Sequence, residues 1–260
     1  MCYDKIYLAN GNRGVKVESN VEPKVESKFN DTRQNLLYHG IKLFSQYGYE
    51  ATSPRMIAKE AKTNLSAISF YFLNKKNFYI SCINYVAEKL NQYYEDAFRR
   101  INESIQKKTI NPEAAYNYIC ELIDLQISSA FKSKYRKTLK LVYWEQVNPI
   151  GDFHPLTESI FEKIEKVFAE LLVIAANNKI SYESAVIASR FINGSIISFG
   201  EHDLIVRYSL NINNSEELPE FIQNEIRYYC LLLVKDFLWL GSNQRSVPVE
   251  LTSSTNLPQQ

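Results

Sequence analysis

An all-α fold is predicted from three observations. Apolar residues recur at three- and four-residue steps from about Leu36 to Leu240. Only 8 glycines and 8 prolines punctuate the 260 residues, which suits long helices better than the many turns of a β-sandwich. Asp, Ser, Asn or Pro stands at the head of most periodic stretches, where helix starts need a side-chain acceptor or a preset φ. No convincing strand and no internal repeat is found.

Each element follows from its residues. Residues 1–30 lack a sustained period and are expected to form a disordered or loosely attached arm. Asp31 begins a helix as N-cap, with Gln34 in capping-box position; Leu36, Leu37, Ile41 and Phe44 form its apolar face and Gly48 stops it. Ser53 and Pro54 open a short second helix with Ile57, Ala58 and Ala61 inward. Asn64 caps a third, with Ile68 and Phe72 on its buried face. Asn74 caps a fourth, carried on by Phe78, Ile83, Val86 and Leu90.

Longer helices follow. Pro112 opens one to about Lys132 with Tyr116, Ile119, Ile123 and Ile127 as its stripe. Another spans about 135–147. A third begins near Pro155, with Ile160, Ile164, Phe168 and Leu171 inward. Ser181 caps the next, which carries Val186, Phe191 and Ile197. The last runs from about Glu216 to Leu240 with Ile222, Ile226, Cys230, Leu233 and Phe237 as its stripe, and the tail from Ser242 is expected to be unstructured. About nine helices result, organised as an arm (1–30), a helix-turn-helix unit (31–79), a larger helical domain (80–241) and a tail (242–260).

Composition narrows the class. Hydrophobic residues at 45% and charged residues at 23% are those of a soluble globular chain. Cys2, Cys82, Cys120 and Cys230 are scattered without C-x-x-C spacing, so no zinc site or disulfide framework is expected, and reduced thiols fit a cytoplasmic setting. No apolar run reaches the roughly 18 residues of a membrane span. The net charge of +1 hides an asymmetry. Residues 31–90 carry eight Lys/Arg against four Asp/Glu, whereas residues 91–260 carry 17 against 21. A basic module joined to an acidic one points to a polyanionic partner for the first alone.

Three short helices with tight connections, the second and third separated by Lys62 and Thr63, fit a helix-turn-helix. The third helix packs through Ile68 and Phe72 and leaves Ser66, Ala67, Ser69, Phe70 and Tyr71 outward. Small residues there allow close approach to base edges, and a thymine methyl can meet Ala or an aromatic ring.

This stretch resembles the tetracycline-repressor (TetR) family of regulators. The likeness rests on Thr32-Arg33, Ala51-Thr52-Ser53, Ile57-Ala58-Lys59-Glu60-Ala61 and Ala67-Ile68-Ser69-Phe70-Tyr71-Phe72, followed by Lys75 and Tyr79, all in ungapped register. Two departures are Lys62, where the family usually has glycine, and Ser69, where many members carry tyrosine. The resemblance implies that Arg55 reads a base edge and that Ser53 and Tyr71 meet phosphates, with Asn64, Leu65, Ser66, Ala67, Ser69 and Phe70 at the groove. Plain alternatives are a solvated arginine, a simple N-cap and a half-buried tyrosine. Lys75 stands out on physics: a cation in a helix's first turn opposes the dipole, and Lys76 repeats the conflict, which a DNA phosphate at that N-terminus would remove.

Further on, Glu145-Gln146 with Pro149 and Phe153 resembles the CecR-type C-terminal domain of the same family. The resemblance implies a homodimer through the last two helices, where Gly194 and Ser198 would permit close approach, and an enclosed small-molecule effector. Tyr94, Phe98, Tyr116, Trp144 and His202 are the candidate ligand contacts. The implied function is a DNA-binding transcription regulator, a repressor on the family pattern, released from double-stranded operator DNA by its effector. No cofactor or metal is expected. His39, His154 and His202 are isolated, and no Walker, G-x-S-x-G or H-E-x-x-H motif occurs. Two other readings stay open: a helical interaction protein that has lost specific DNA binding, which Lys62, Leu65 and Ser69 would allow, and an all-helical enzyme.

Overall fold

The computed structural model describes residues 24–131, 141, 142, 145, 160–201, 203–212 and 219–242. Among them the elements are α1 (Lys24–Ala51), α2 (Pro54–Glu60), α3 (Leu65–Phe72), α4 (Lys75–Gln106), α5 (Pro112–Phe131), α6 (Glu162–Ala175), α7 (Tyr182–Glu201), α8 (Asp203–Ser209) and α9 (Glu220–Ser242). The described residues are helical or in turns, as the periodicity predicts. The expected helix at 135–147, apart from Leu141, Val142 and Glu145, lies outside the described residues, as do residues 1–23 and the tail from Asn243.

Local chemistry explains the boundaries. Ser53, Asn64, Asn74 and Ser181 each accept an amide hydrogen with the side chain, from Met56, Ser66, Asn77 and Ser184, at 2.9–3.2 Å. Asn111 does the same for Ala114 at 2.8 Å, ahead of Pro112. The start of α1 is a correction: the helix begins at Lys24, so Asp31 is an interior residue and not its cap. Nothing from Lys24 to Asn30 breaks a helix, so the capping pattern at Asp31 had no competing stop before it.

Gly48 does end the regular part of α1, at φ 74° and ψ 175°. The buried Thr52 closes this break by donating to Gly48 O at 2.7 Å. Four other helix ends turn through a left-handed residue, yet none uses glycine: Lys62, Lys108, Asn177 and Asn211 have φ between 52° and 54°. Each makes the same paired closure. At α2, the Lys62 amide donates to Lys59 O at 3.2 Å and the Thr63 amide to Ala58 O at 2.9 Å. A chain poor in glycine therefore accepts a strain of roughly 1 kcal/mol at such ends.

Two apolar clusters fill the interior. The first joins Leu36, Phe44, Ile57, Ile68, Phe72 and Phe78 and continues along α4 through Tyr94 to Ile160 and Ile164. Close approach of α1 to α4 needs Gly40, where a Cβ would lie 2.7 Å from the Phe78 ring and 3.0 Å from Cys82 Sγ. The second cluster packs α5, α6, α7 and α9 around Ile119, Ile123, Phe168, Leu171, Ile192 and Val234. The long α4 contributes to both, so it is the beam between them.

Two stripes differ from expectation. In α7 the buried face is Ala185, Ser189, Ile192, Asn193 and Ile196, while Val186 and Phe191 are exposed. In α9 the inward residue is Val234, and Leu233 is 47% exposed. Both helices carry apolar residues on two faces, so periodicity alone left the phase ambiguous.

Candidate nucleic-acid interface

Ser53, through its cap, holds the first turn of α2 so that Arg55 stands in solvent. Asn35 on α1 donates from Nδ2 to Ala61 O at 2.8 Å, and Lys42 pairs with Glu60 at 2.7 Å. These contacts fix the end of α2 against α1 and, through the Lys62 turn, set the angle at which α3 leaves.

On α3, Ile68 and Phe72 are buried, and Leu65, Ser66, Ser69 and Phe70 are exposed, Phe70 at 70%. Ala67 and Tyr71 differ from the outward placement expected: both are half-buried and lean on the first cluster. Each is within one residue of a buried position, so it sits on the flank of the helix. The Phe70 ring stands edge-on to Tyr71 at 5.0 Å. The helix ends abruptly at Leu73, exposed and at φ 67° and ψ −55°, where the Asn74 amide closes back to Phe72 O at 2.8 Å. This tight three-residue turn is a strained form. It places the α4 N-terminus immediately beside α3.

Lys75 behaves differently from the sequence argument. Its ammonium donates to Glu50 O at 3.2 Å and lies 4.3 Å over the Tyr49 ring. The conflict with the α4 dipole is thus relieved within the chain, by a carbonyl and an aromatic face at the end of α1. Lys76 is exposed. Arg55, Lys62, Lys75 and Lys76 leave this end of the protein cationic.

Within the second module, α4, α5, α6 and α7 enclose a cavity lined by Tyr94, Gln126, Ser129, Glu165 and Asn193 against Leu90, Ile164 and Ile196. Of the five expected ligand contacts, Tyr94 faces this cavity and Phe98 stacks on Tyr94 at 5.6 Å. Tyr116 lies instead against Cys120 on α5. Trp144 and His202 fall outside the described residues. Sequence reasoning missed Gln126, Glu165 and Asn193, which are polar residues on otherwise apolar faces; that pattern was the available signal.

Glu145 is buried and accepts from Tyr79 Oη at 3.1 Å. Burial, reinforced by the Glu145 carboxylate, pushes the Tyr79 phenol far above its ordinary value. Among the described residues no three of His, Cys, Asp and Glu sit together as a metal site, and no helix is long and apolar enough to cross a membrane.

Comparison with known proteins agrees with this geometry. Residues 36–82 match the family profile described as bacterial regulatory proteins, tetR family. The transcriptional dual regulator CecR of Shigella flexneri is 22% identical over 231 residues, covering 86% of this chain and 99% of that protein. The nicotine-responsive transcriptional repressor HdnoR of Paenarthrobacter nicotinovorans is 28% identical over 152 residues, 57% of this chain and 71% of that protein. A TetR-like regulator from Rhodococcus sp. RHA1 shares the fold, with a TM-score of 0.51 at 15% identity over 82% of this chain and 97% of its own. The matched profile begins at Leu36 on α1 and ends at Cys82 on α4, so it takes in the later part of α1, all of α2 and α3 and the turns at Lys62 and Leu73. Residues 36–82 thus match the tetR-family profile, and the chain as a whole is similar to TetR-family regulators in sequence and shares their fold.

Proposed function

We propose that the protein is a dimeric transcription repressor whose hold on operator DNA is released by a small-molecule effector. The observation that carries the DNA-binding part is the two-sided character of α3. Its buried side is fixed by Ile68 and Phe72, and its other side offers Leu65, Ser66, Ser69 and Phe70 to solvent beside the exposed Arg55. A helix held so firmly by one face, with short side chains on the other, suits entry into a major groove. Arg55 would read a base. Ser53, Asn64, Tyr71 and Lys75 would meet the backbone, with Ala67 at the edge of the contact. The unit at 31–79 is the DNA-binding domain, and the helices over 80–241 bind effector and form the dimer.

Dimerisation is supported by the outer faces of α7 and α9. Phe191 is 72% exposed, and Ile187, Phe221, Tyr228, Leu232 and Leu233 are exposed with it. Apolar side chains in this number on two neighbouring helices favour a partner over water. Repression and effector relief are supported by the similarity to HdnoR, a nicotine-responsive repressor, although CecR is a dual regulator. The setting proposed is the cytoplasm, and the role is regulatory, not catalytic.

The test is a footprint of the full-length protein on DNA flanking its own gene, with binding titrated against salt. A protected pseudo-palindrome, with half-sites about 34–36 Å apart or a multiple of that, supports the reading. Equal affinity for every DNA fragment at all salt concentrations would reject it.

A further inference from the structure

The polar groups at the cavity between α4, α5, α6 and α7 have a fixed direction of hydrogen bonding. Glu165 sets it. Its Oε2 accepts from Asn193 Nδ2 at 3.0 Å and from the Ser189 hydroxyl, and its Oε1 accepts from Arg190 Nη1 at 3.3 Å. Asn193 must turn its amide nitrogen to that carboxylate, so its Oδ1 faces Gln126, which answers with Nε2 at 2.9 Å. The Ser189 hydrogen goes to the carboxylate, and the second hydrogen of Asn193 Nδ2 goes to Ser189 Oγ at 3.2 Å. Across the cavity, Ser129 donates to Gln126 O at 2.9 Å, so in the Tyr94–Ser129 pair, 3.1 Å apart, the tyrosine is the donor.

Inside the rim, what remains unused among the described residues is mostly acceptor capacity. Gln126 is 6% exposed, and its Oε1 accepts no hydrogen bond from the described residues. Tyr94 Oη, with its proton committed to Ser129, keeps a free lone pair. The Glu165 carboxyl group has about four acceptor sites and meets three donors. Its cationic partner among the described residues, Arg190, is 63% exposed and sits at the rim. Among the donors, the second amide hydrogen of Gln126 is spare inside the cavity, and Arg190 keeps further N–H groups at the exposed rim. The rest of the lining includes the apolar Leu90, Phe161, Ile164 and Ile196. The enclosed space is about 40 Å³, room for roughly two or three water-sized groups.

We infer that this cavity takes the ammonium head of a hydrophobic amine, with the apolar body of the ligand along Leu90, Phe161 and Ile164. An ammonium brings three donors and no acceptor, which matches Gln126 Oε1, Tyr94 Oη and the Glu165 carboxylate. A carboxylate ligand could pair with Arg190 only at the solvent-exposed rim and would meet the Glu165 carboxylate beside it. A neutral alcohol could use one acceptor and forgo the charge. The inference rests on the proposed role of residues 80–241 as the effector domain and names the chemistry of that effector.

Three probes of one shape test it on the full-length protein: 2-phenylethylammonium, 2-phenylethanol and 3-phenylpropionate, each followed by calorimetric titration and by the shift in Tm. The ammonium probe is expected to bind at least ten-fold more tightly than the alcohol, and the carboxylate not to raise Tm. Glu165→Gln should weaken the ammonium probe at least ten-fold, with circular dichroism confirming the fold. Arg190→Ala, at the exposed rim, removes the competing cation and should tighten the ammonium probe several-fold. If Glu165→Gln fails to fold, Arg190→Ala carries the test alone, and unchanged affinity there overturns the inference. Preferential binding of the alcohol or the carboxylate overturns the ligand class while leaving an effector site in place. No binding by any probe overturns the inference and the effector role of this cavity together, whereas the DNA footprint decides the operator reading separately.

Discussion

Tyr79 and Glu145 are 66 residues apart, yet the Tyr79 hydroxyl donates to Glu145 Oε2 at 3.1 Å inside the protein. Tyr79 packs edge-on against Phe44 and Tyr49, and Lys75 lies over Tyr49. A carboxylate from the larger module therefore reaches an aromatic stack that ends beside the candidate DNA contact at Lys75. Tyr79→Phe removes the donor to a buried carboxylate and is expected to cost about 1–3 kcal/mol. For a chain of this size that is a fall in Tm of several degrees. Differential scanning calorimetry of the two proteins checks it; an unchanged Tm would show that the bond contributes nothing.

Buried phenols and thiols also set the response to alkali. Burial, first among the causes, pushes Tyr79, Tyr94 and the Cys82 thiol well above their ordinary values. In the unfolded chain these groups ionise near pH 8.5 for cysteine and pH 10 for tyrosine. The folded protein keeps their protons, so above those values the folded state binds more protons than the unfolded one, and stability falls as pH rises. Below about pH 8 both states are protonated and these groups contribute no slope. Urea midpoints from pH 7 to 11 should decline from about pH 9 upward, and less steeply in Tyr79→Phe. A flat profile would contradict the burial of these groups.

Lys62 occupies a left-handed position, φ 52°, in the turn between α2 and α3. Lys62→Gly should stabilise the protein by up to about 1 kcal/mol, because glycine has no Cβ to crowd the following carbonyl. The gain is partly offset by the greater freedom of glycine in the unfolded chain. The reverse sign in a denaturant titration would mean that the Lys62 side chain makes a stabilising contact outweighing this strain.

What the sequence disclosed and what it hid divide along locality. Caps act over two or three residues, so Ser53, Asn64, Asn74 and Ser181 were legible, as was the break at Gly48. Lys75 looked unpartnered because its partners, Tyr49 and Glu50, are 25 residues or so away in sequence but adjacent in space. The Glu165–Asn193–Gln126 chain was hidden for the same reason, since it joins three helices. Residues 24–30 were read as part of an arm because no strong cap marks Lys24, although nothing there interrupts a helix.

Lys75 and Arg55 should separate in binding assays. Lys75→Ala is expected to weaken binding to all DNA alike and to lower the salt slope by about one unit. Because Lys75 also donates to Glu50 O, a small loss of stability should accompany it. Arg55→Ala, exposed and unencumbered, should cost about 1–3 kcal/mol on the operator and relax the preference at one base pair per half-site. If Lys75→Ala altered the preferred sequence without changing the slope, its phosphate assignment would fall. Equal losses on operator and random DNA would move Arg55 to the backbone.

The assembly prediction turns on two adjacent residues of α9. Val234 is fully buried in the protomer, whereas Leu233 is 47% exposed. Among the described residues nothing lies within 4 Å of where a Gly194 Cβ would stand on α7, so that position also faces open space among them. In an isologous dimer both outer positions would face the partner's copies. The interface would bury on the order of 2,000 Å² if the dimer is obligate. Leu233→Asp therefore puts a charge in water in the monomer but strands it without a partner in the dimer. The expected result is a folded monomer with native helix content and sharply weaker operator binding, since one half-site no longer assists the other. Val234→Asp, by contrast, buries the charge in the protomer's own core and should unfold it. Gly194→Ala gives a milder test: it should raise protomer stability by about 0.5–1 kcal/mol through helix propensity while weakening the dimer if a partner helix crosses there. Sedimentation with circular dichroism reads all three variants. A wild-type protein that sediments as a monomer at micromolar concentration, or a Leu233→Asp variant that remains a dimer, would refute this interface.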